Sequence, residues 1–445
     1  GANLLGVDLS DKDLTNANLT GAYLSGKDLA GTIFKGANLS YANLHGADLS
    51  GKDLSNADLT NAILIEADLS NADLTNTILI GADLSKANLH GMDLSGKDLT
   101  GTILRASDLT NANLSGVDLS HMDLTKTKLV GVDLSGDDLS NANLSYADFT
   151  GADLSNTDLT NAKVVGTNLS YVNLSGQDLS GKDFSYANLT GADISGADLT
   201  KTEFNNAVLK DVNLQNTNLL QADFAQVDFT KIKNKSLAGA DLSGASFAYA
   251  TLSGVDLSDT TLRATNFYKA TLSGVDFTVT DAIIEGIIFI DATLSNANFE
   301  GVDLSPDNIH WLHAENKAYL VSDGLTQTER DELTNLVIEK LEGSLIPQVT
   351  TVEVSGNDLL INFVFPNVFN AANLSNANFK DAKLWDASFY LANLTGADLS
   401  GADLKKAYLV SADLTNANLS GTDLTEAIVG GDIILKCKNH PICLG

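Results

Sequence analysis

Residues 1–30 read GANLL GVDLS DKDLT NANLT GAYLS GKDLA. Leu returns at every fifth position, at Leu4, Leu9, Leu14, Leu19, Leu24 and Leu29. A small residue usually stands two positions before each such centre, Asp or Asn directly before it, and Ser or Thr directly after it. The series runs without a gap to Phe229, every centre being Leu, Phe, Ile or Val. A period of five fits neither the 3.6 of a helix nor the 2 of a strand. The centre and the small residue two before it must therefore share one side, and the other three residues face out. Three residues can be extended and two can turn, so each unit makes one short wall and one corner.

The rest of the composition follows from that unit. The 445 residues carry 27 Lys plus Arg against 57 Asp plus Glu, a formal net charge of −30. Direct nucleic-acid binding needs basic charge to displace phosphate counterions, so that class is excluded. Only Arg105, Arg263 and Arg330 could offer a bidentate phosphate fork. The longest apolar stretch, AIIEGIIFIDA at 282–292, carries Glu285 and Asp291, so no membrane span is expected. Two Cys are too few for a disulfide framework.

The phase of the repeat changes twice. Phe229 is followed by TKIKNKS, and the next centre is Leu237. That phase holds to Phe277, and a step of seven to Ile284 restores the first phase through Leu304. Insertions of three and two residues add to one unit, which predicts small corner insertions near 230–236 and 278–283. Centres resume from Leu374 to Val429. The expected organisation is a repeat domain over 1–304, an insertion over 305–370, a continuation over 371–430 and a C-terminal cap or tail over 431–445. Within the insertion, Thr326 and Glu329 have capping-box spacing, Leu333, Leu336, Val337 and Leu341 follow helical spacing, and Gly343 can end the helix. VTTVEV and DLLINFVF then flank Ser355-Gly356-Asn357, a hairpin pattern. The insertion is thus expected to be αββ, a bracket between two repeat segments or a module for docking a partner.

The units A(D/N)Lxx, quoted above and repeated over about four-fifths of the chain, resemble those of pentapeptide-repeat proteins. The resemblance implies an all-β fold, a right-handed quadrilateral β-helix of four units per coil, here with a small α+β insertion. Coils stacked at the sheet spacing of about 4.8 Å would make a rod of roughly 85 Å. Each coil would contact only its neighbours. Some members of the family are acidic rods that resemble B-form DNA and occupy the DNA-binding surface of type II topoisomerases such as gyrase. No motif specific to those members is present in this chain.

At 20 residues per coil, Asp98, Asp118, Asp138, Asp158, Asp178 and Asp198 stack into one column, an expected interaction surface. A second face carries Asp8, Asp28, Asp48 and Asp68. Such columns should attract divalent cations or a basic partner. The bland reading is that Asp and Asn share this position because either can hydrogen-bond a nearby turn. Lys12, Lys27, Lys52, Lys97 and Lys182 occupy the inward small-residue position. Burying an unpaired ammonium is costly, so each is expected to snorkel outward toward an Asp.

Cys437, His440 and Cys443 have C-x2-H-x2-C spacing, open to a metal site, to a Cys437–Cys443 disulfide, or to free thiols in a cap. His310, His313 and Glu315 lack the HExxH order. No nucleophile elbow, phosphate loop or carboxylate cleft is present, so neither an enzyme nor a cofactor is expected. Outward Ser ranks such as Ser115, Ser135, Ser155, Ser175 and Ser195 are a poor fit to ice binding. The chain opens in frame at Gly1-Ala2-Asn3-Leu4, which expects either removed upstream sequence or an end coil covered by another chain. The function expected is a non-enzymatic acidic scaffold or protein-interaction rod, possible filament formation included. The alternative is a DNA-mimic modulator of a type II topoisomerase.

Overall fold

The chain is a right-handed quadrilateral β-helix. The computed structural model describes Leu4 and residues 7–278, 287–302, 317–321, 348–355, 358–364, 368–430 and 437–441. It divides into two compact units. The first comprises Gly1–Leu214 with Lys231–Lys233, the second Gln215–Thr230 with Asn234–Gly445.

Each five-residue unit is a one-residue bridge and a tight turn. In the turn after Leu14, the Ala17 N–H donates to the Leu14 carbonyl at 2.9 Å, and Asn16 sits at φ 56°. A positive φ at the third residue is what a type II turn demands, and Gly and Asn reach it most easily. This explains why the fifth position of the unit is so often Gly or Asn. Parallel bridges then join residues 20 apart, such as Asn38 to Asp58 and Asp48 to Asp68. Leu14 N–H donates to Ile33 O at 2.9 Å, and Ile33 N–H returns to Lys12 O at 3.0 Å. The core is a column of centres with Ala packed beside them: Leu39, Ala42, Leu44 and Phe34 are fully buried. Each buried Leu or Phe contributes about 2 kcal/mol by area removed from water.

In the first unit one inward side chain decides how closely two coils approach. Where the small position carries Lys27, Lys52, Met92, Lys97, Val117, Met122, Val132, Asp137, Val172, Gln177 or Lys182, no bridge joins that site to the coil below among the described residues. Ala and Thr sites are bridged, as at Ala57, Ala112, Thr77 and Thr157. A larger side chain lifts the strand beyond hydrogen-bond reach of its neighbour. Val212 is the exception, its bridge held by bonds of 3.1 and 3.2 Å. Ala47, stacked on Lys27, is an unbridged Ala site.

Four of the five inward-position lysines do not snorkel to Asp partners, and Lys12 is exposed. Lys27, Lys52, Lys97 and Lys182 each donate from Nζ to the carbonyl of the centre residue 23 positions earlier: Leu4, Leu29, Leu74 and Leu159, at 2.7, 2.5, 2.7 and 2.6 Å. Gln177 and Thr157 reach Leu154 and Leu134 in the same way. A buried donor is thereby paired with a backbone acceptor that already serves its own turn, and a carbonyl has two lone pairs to give.

The three-residue step is built by 3-10 turns at Phe229–Lys231 and Lys233–Lys235, and in the second unit Asn218 bridges Asp241. Rings stack along the axis here: Phe267 on Phe289, Phe289 on Phe369, and Phe369 on Phe389, with centroids 5.4, 5.1 and 4.8 Å apart. The long insertion therefore leaves between stacked coils without interrupting them, since Ile288 bridges Val368. The repeat resumes at Val368, three residues before 371, and Phe369 is a core residue rather than part of the interruption.

Of the insertion, the described residues form a three-stranded antiparallel sheet, β1 Lys317–Val321, β2 Gln348–Ser355 and β3 Asp358–Val364, in the order β1-β3-β2. β2 and β3 are the hairpin, paired from Ser355 with Asp358 to Gln348 with Val364. β1 is a strand that the sequence pattern does not announce. The residues with helical spacing, 326–343, lie outside the described residues, as do His310, His313 and Glu315. Near the C-terminus, Lys438 bridges Asn418 at the coil repeat, so residues 437–441 lie on the preceding coil.

A candidate interaction face

The Asp directly before each centre is shaped by its own turn. Its Oδ1 accepts the N–H of the residue two positions on, as Asp98 does from Thr100 at 2.9 Å, Asp118 from Ser120 at 2.9 Å and Asp158 from Thr160 at 2.8 Å. The Ser or Thr hydroxyl adds a second bond to the same oxygen, 2.5 Å at Thr100 and 2.7 Å at Ser120. Asp138, Asp178 and Asp198 make the same backbone contact through Ser140, Ser180 and Thr200. This accounts for the sequence order Asx-Leu-Ser/Thr: the side chain stands in for a backbone acceptor.

All six predicted column residues fall on one face of the first unit. Five are exposed and Asp198 is half-buried. Backbone bridges join Asp138 to Asp158 and Asp178 to Asp198. No bridge joins Asp98 to Asp118, Asp118 to Asp138 or Asp158 to Asp178 among the described residues, because Val117, Asp137 and Gln177 stand inward there. Hydrogen bonds from the following Ser or Thr hydroxyl, then from its backbone N–H, hold the carboxyls of Asp98, Asp118, Asp158 and Asp178 below the ordinary Asp range. These residues are thus carboxylates at neutral pH. The inward Asp137 is pushed the other way, first by burial and then by Asp133.

One feature of this face is not written in the Asp pattern. Lys97, Val117 and Met122 are all large inward residues, and together they open a cleft of about 610 Å³ between two coils. Asp98, Thr100, Asp118, Ser120, His121 and Asp123 line it, with Gly96, Gly101 and Gly116 at its corners. The signal in the sequence is the run of non-Ala inward residues one coil apart. Among the described residues no three His, Cys, Asp or Glu are grouped so as to hold a metal ion. The second column, Asp8, Asp28, Asp48 and Asp68, lies on the opposite face, bridged only between Asp48 and Asp68.

At the C-terminus Cys437 is buried in the inward small position and is disulfide-bonded. A disulfide sulfur is no thiolate ligand. The chain's other cysteine, Cys443, lies outside the described residues, and His440 lies on the terminal turn.

The sequence pattern described as "Pentapeptide repeats" matches residues 13–51, 53–91, 82–120, 103–136, 138–170, 167–206, 207–231, 240–278, 372–409 and 392–431, more than half of the chain. No match is found among curated proteins. Among solved structures the chain is similar to HetL, a pentapeptide repeat protein involved in heterocyst differentiation regulation from the cyanobacterium Nostoc sp. strain PCC 7120. That similarity has 24% identity, covers 69% of this chain and 87% of that one, and has a TM-score of 0.20. QnrB1, a plasmid-mediated fluoroquinolone resistance protein, is similar at 19% identity over 46% of this chain and 88% of that one, TM-score 0.22. Rfr23, a pentapeptide repeat protein from the cyanobacterium Cyanothece 51142, shares 32% identity over 24% of this chain and 62% of that one, TM-score 0.12. The repeat pattern, not these superpositions, carries the kinship.

Proposed function

This chain belongs to the pentapeptide-repeat family, and on that premise we propose that it is a non-enzymatic scaffold that presents an acidic face to a basic protein surface. The observation that supports this reading is the Asp98–Asp198 column: six carboxylates at one register position, held by their own turns rather than by neighbouring cations. A rigid row of like charges costs little to organise because the repeat orders it, and it raises the rate of encounter with a cationic partner. Each Asp commits one oxygen to its turn and leaves the other free to face a partner.

Binding of polylysine, measured at several salt concentrations, tests the reading. Changing all six Asp to Asn keeps the Oδ1 acceptor and removes the charge. The expected result is salt-sensitive binding that the sixfold variant weakens; equal binding by both proteins would remove the column from the interaction. The same variant pair in a gyrase supercoiling assay reads the topoisomerase alternative, in which the column stands in for a phosphate backbone. Light scattering of the unmodified chain reads end-to-end assembly.

A further inference from the structure

Opposite the Asp98–Asp198 column, the first unit carries a face of different chemistry. Its rims are three exposed tyrosines at corner positions: Tyr146 and Tyr186 on one edge, two coils apart, and Tyr171 on the other. They are 54%, 64% and 69% exposed. Two of these rings do not dangle. Tyr146 leans over Gly166 in the next coil, so closely that a Cβ there would meet its Cδ1 and Cε1 at 2.5 Å. Tyr171 leans over Gly191 in the same way, at 2.7 Å. The Tyr146 and Tyr171 rings are each backed by a glycine, and all three tyrosines are exposed to water.

Between the rims runs a strip of Asn168, Ser170, Asn188 and Thr190, with Asp148 below. Asn168, Asn188 and Thr190 are half-buried, Ser170 is buried, and the strip is cross-bonded. Asn168 Nδ2 donates to Asp148 Oδ1 at 2.9 Å, Asn188 Nδ2 to Asn168 Oδ1 at 3.2 Å, and the Ser170 and Thr190 hydroxyls to their own Asn at 2.6 Å. Asp148 is the one acid among the strip residues, on a chain whose net charge is −30. The surface therefore selects neither a cation nor an anion. It offers fixed aromatic faces, which stack on the C–H-rich faces of pyranose rings, and hydroxyl and amide groups with spare lone pairs for sugar hydroxyls. Because the Tyr146 and Tyr171 rings are already held in place, a ligand has little side-chain entropy to remove there.

We propose that Tyr146, Tyr171 and Tyr186, with the Asn/Ser/Thr strip between them, form a binding platform for an uncharged β-1,4-linked polysaccharide lying along the direction in which the coils stack. The platform is separate from the acidic column and does not depend on it. A flat glucan chain meets a ring at alternate coils on one rim and the staggered Tyr171 on the other.

Native electrophoresis through gels containing hydroxyethylcellulose, with starch as the control, tests this. The full chain is expected to be retarded by hydroxyethylcellulose and not by starch, and soluble cellohexaose should restore its mobility. Replacing the three tyrosines with Ala should weaken binding about tenfold or more, whereas Tyr→Phe variants, which keep the aromatic faces, should bind nearly as well. Gly166→Ala, which displaces the Tyr146 ring, should weaken binding with all three tyrosines present. If the triple Ala variant does not fold, the Phe variants and the cellohexaose competition decide. No retardation, or retardation that the triple variant leaves unchanged, overturns the proposal. So does concentration-dependent dimerisation lost in the same variant, which would make the patch a protein interface. The Asp→Asn column variant should bind the glucan normally.

Discussion

Lys182 Nζ lies 2.6 Å from the carbonyl oxygen of Leu159, with the lysine only 7% exposed. The donor comes from the coil above and the acceptor closes a turn in the coil below, so the contact links two coils where no bridge does. Replacing Lys182 with Ala would leave that side of the carbonyl without its donor and a void where the lysine stem packs. The expected cost is about 2–4 kcal/mol. Thr should be milder than Ala, because Thr157 makes the equivalent bond to Leu134 at 2.9 Å. Local amide exchange of the two coils is the appropriate readout, since repeat arrays need not unfold in two states.

Burial pushes the Lys182 ammonium below its ordinary value, against the pull of Asp178 and Asp158. Between that lowered value and 10.5 the unfolded chain binds more protons than the folded one, so this residue's contribution to stability rises with pH. The stability of the natural chain relative to Lys182→Met should increase as pH approaches 10.5. A difference that is flat with pH would mean the amine is not desolvated in solution.

The turn carboxylates have the same sign of pH dependence, in the acid range instead of the alkaline one. Asp98, Asp118, Asp158 and Asp178 have lowered folded values, so their contribution is complete above about pH 4 and is lost as pH falls through those values. Asp158→Asn should keep the turn bond to Thr160 and blunt the local acid sensitivity, whereas Asp158→Ala should lose the turn at every pH. The Thr160 backbone amide shift followed through an acid titration of each protein would show both.

The cleft beside His121 should be the weak joint of the first unit. Leu99, Gly101, Leu104, Asp118 and Asp123 make no coil-to-coil N–H bond among the described residues, whereas Leu139 and Leu179 donate to Asp158 and Asp198 at 2.9 and 2.8 Å. The first group should exchange amide protons faster by orders of magnitude. Met122→Ala should slow exchange at Asp123, because inward Ala lets coils close. Equal protection across both groups would show that the cleft closes in solution.

Phe289 stacks on Phe369 as though nothing lay between them. Removing residues 308–367 would join Asp307 to Val368 and place Phe369 five residues after Leu304, in phase. The shortened chain should fold with an unchanged β signature in circular dichroism. Aggregation or loss of that signature would mean the insertion supports the coils it interrupts.

The fold could be read from the sequence because a period of five is a local rule repeated until chance is excluded. The step after Phe229 was legible for the same reason, as a break in a count; the one expected near 278–283 falls almost wholly outside the described residues. What escaped was the relation between coils. The acceptor of Lys182 is 23 residues away, and no local pattern links them. The tyrosine rims were visible only as residues out of place at a Gly/Asn corner; that Tyr146 rests on Gly166 needs the coil above. β1 escaped because KAYLV has no hairpin partner beside it, its partner being β3 some forty residues on.

The inward residue as a spacer has an evolutionary corollary. An Ala-to-Val change at any one small position should open two or so hydrogen bonds beside itself and leave the next coil in register, because each coil touches only its neighbours. Errors are thus contained rather than propagated. A lineage could drift unit by unit, loosening one storey and tightening another, while the staircase as a whole keeps its tread.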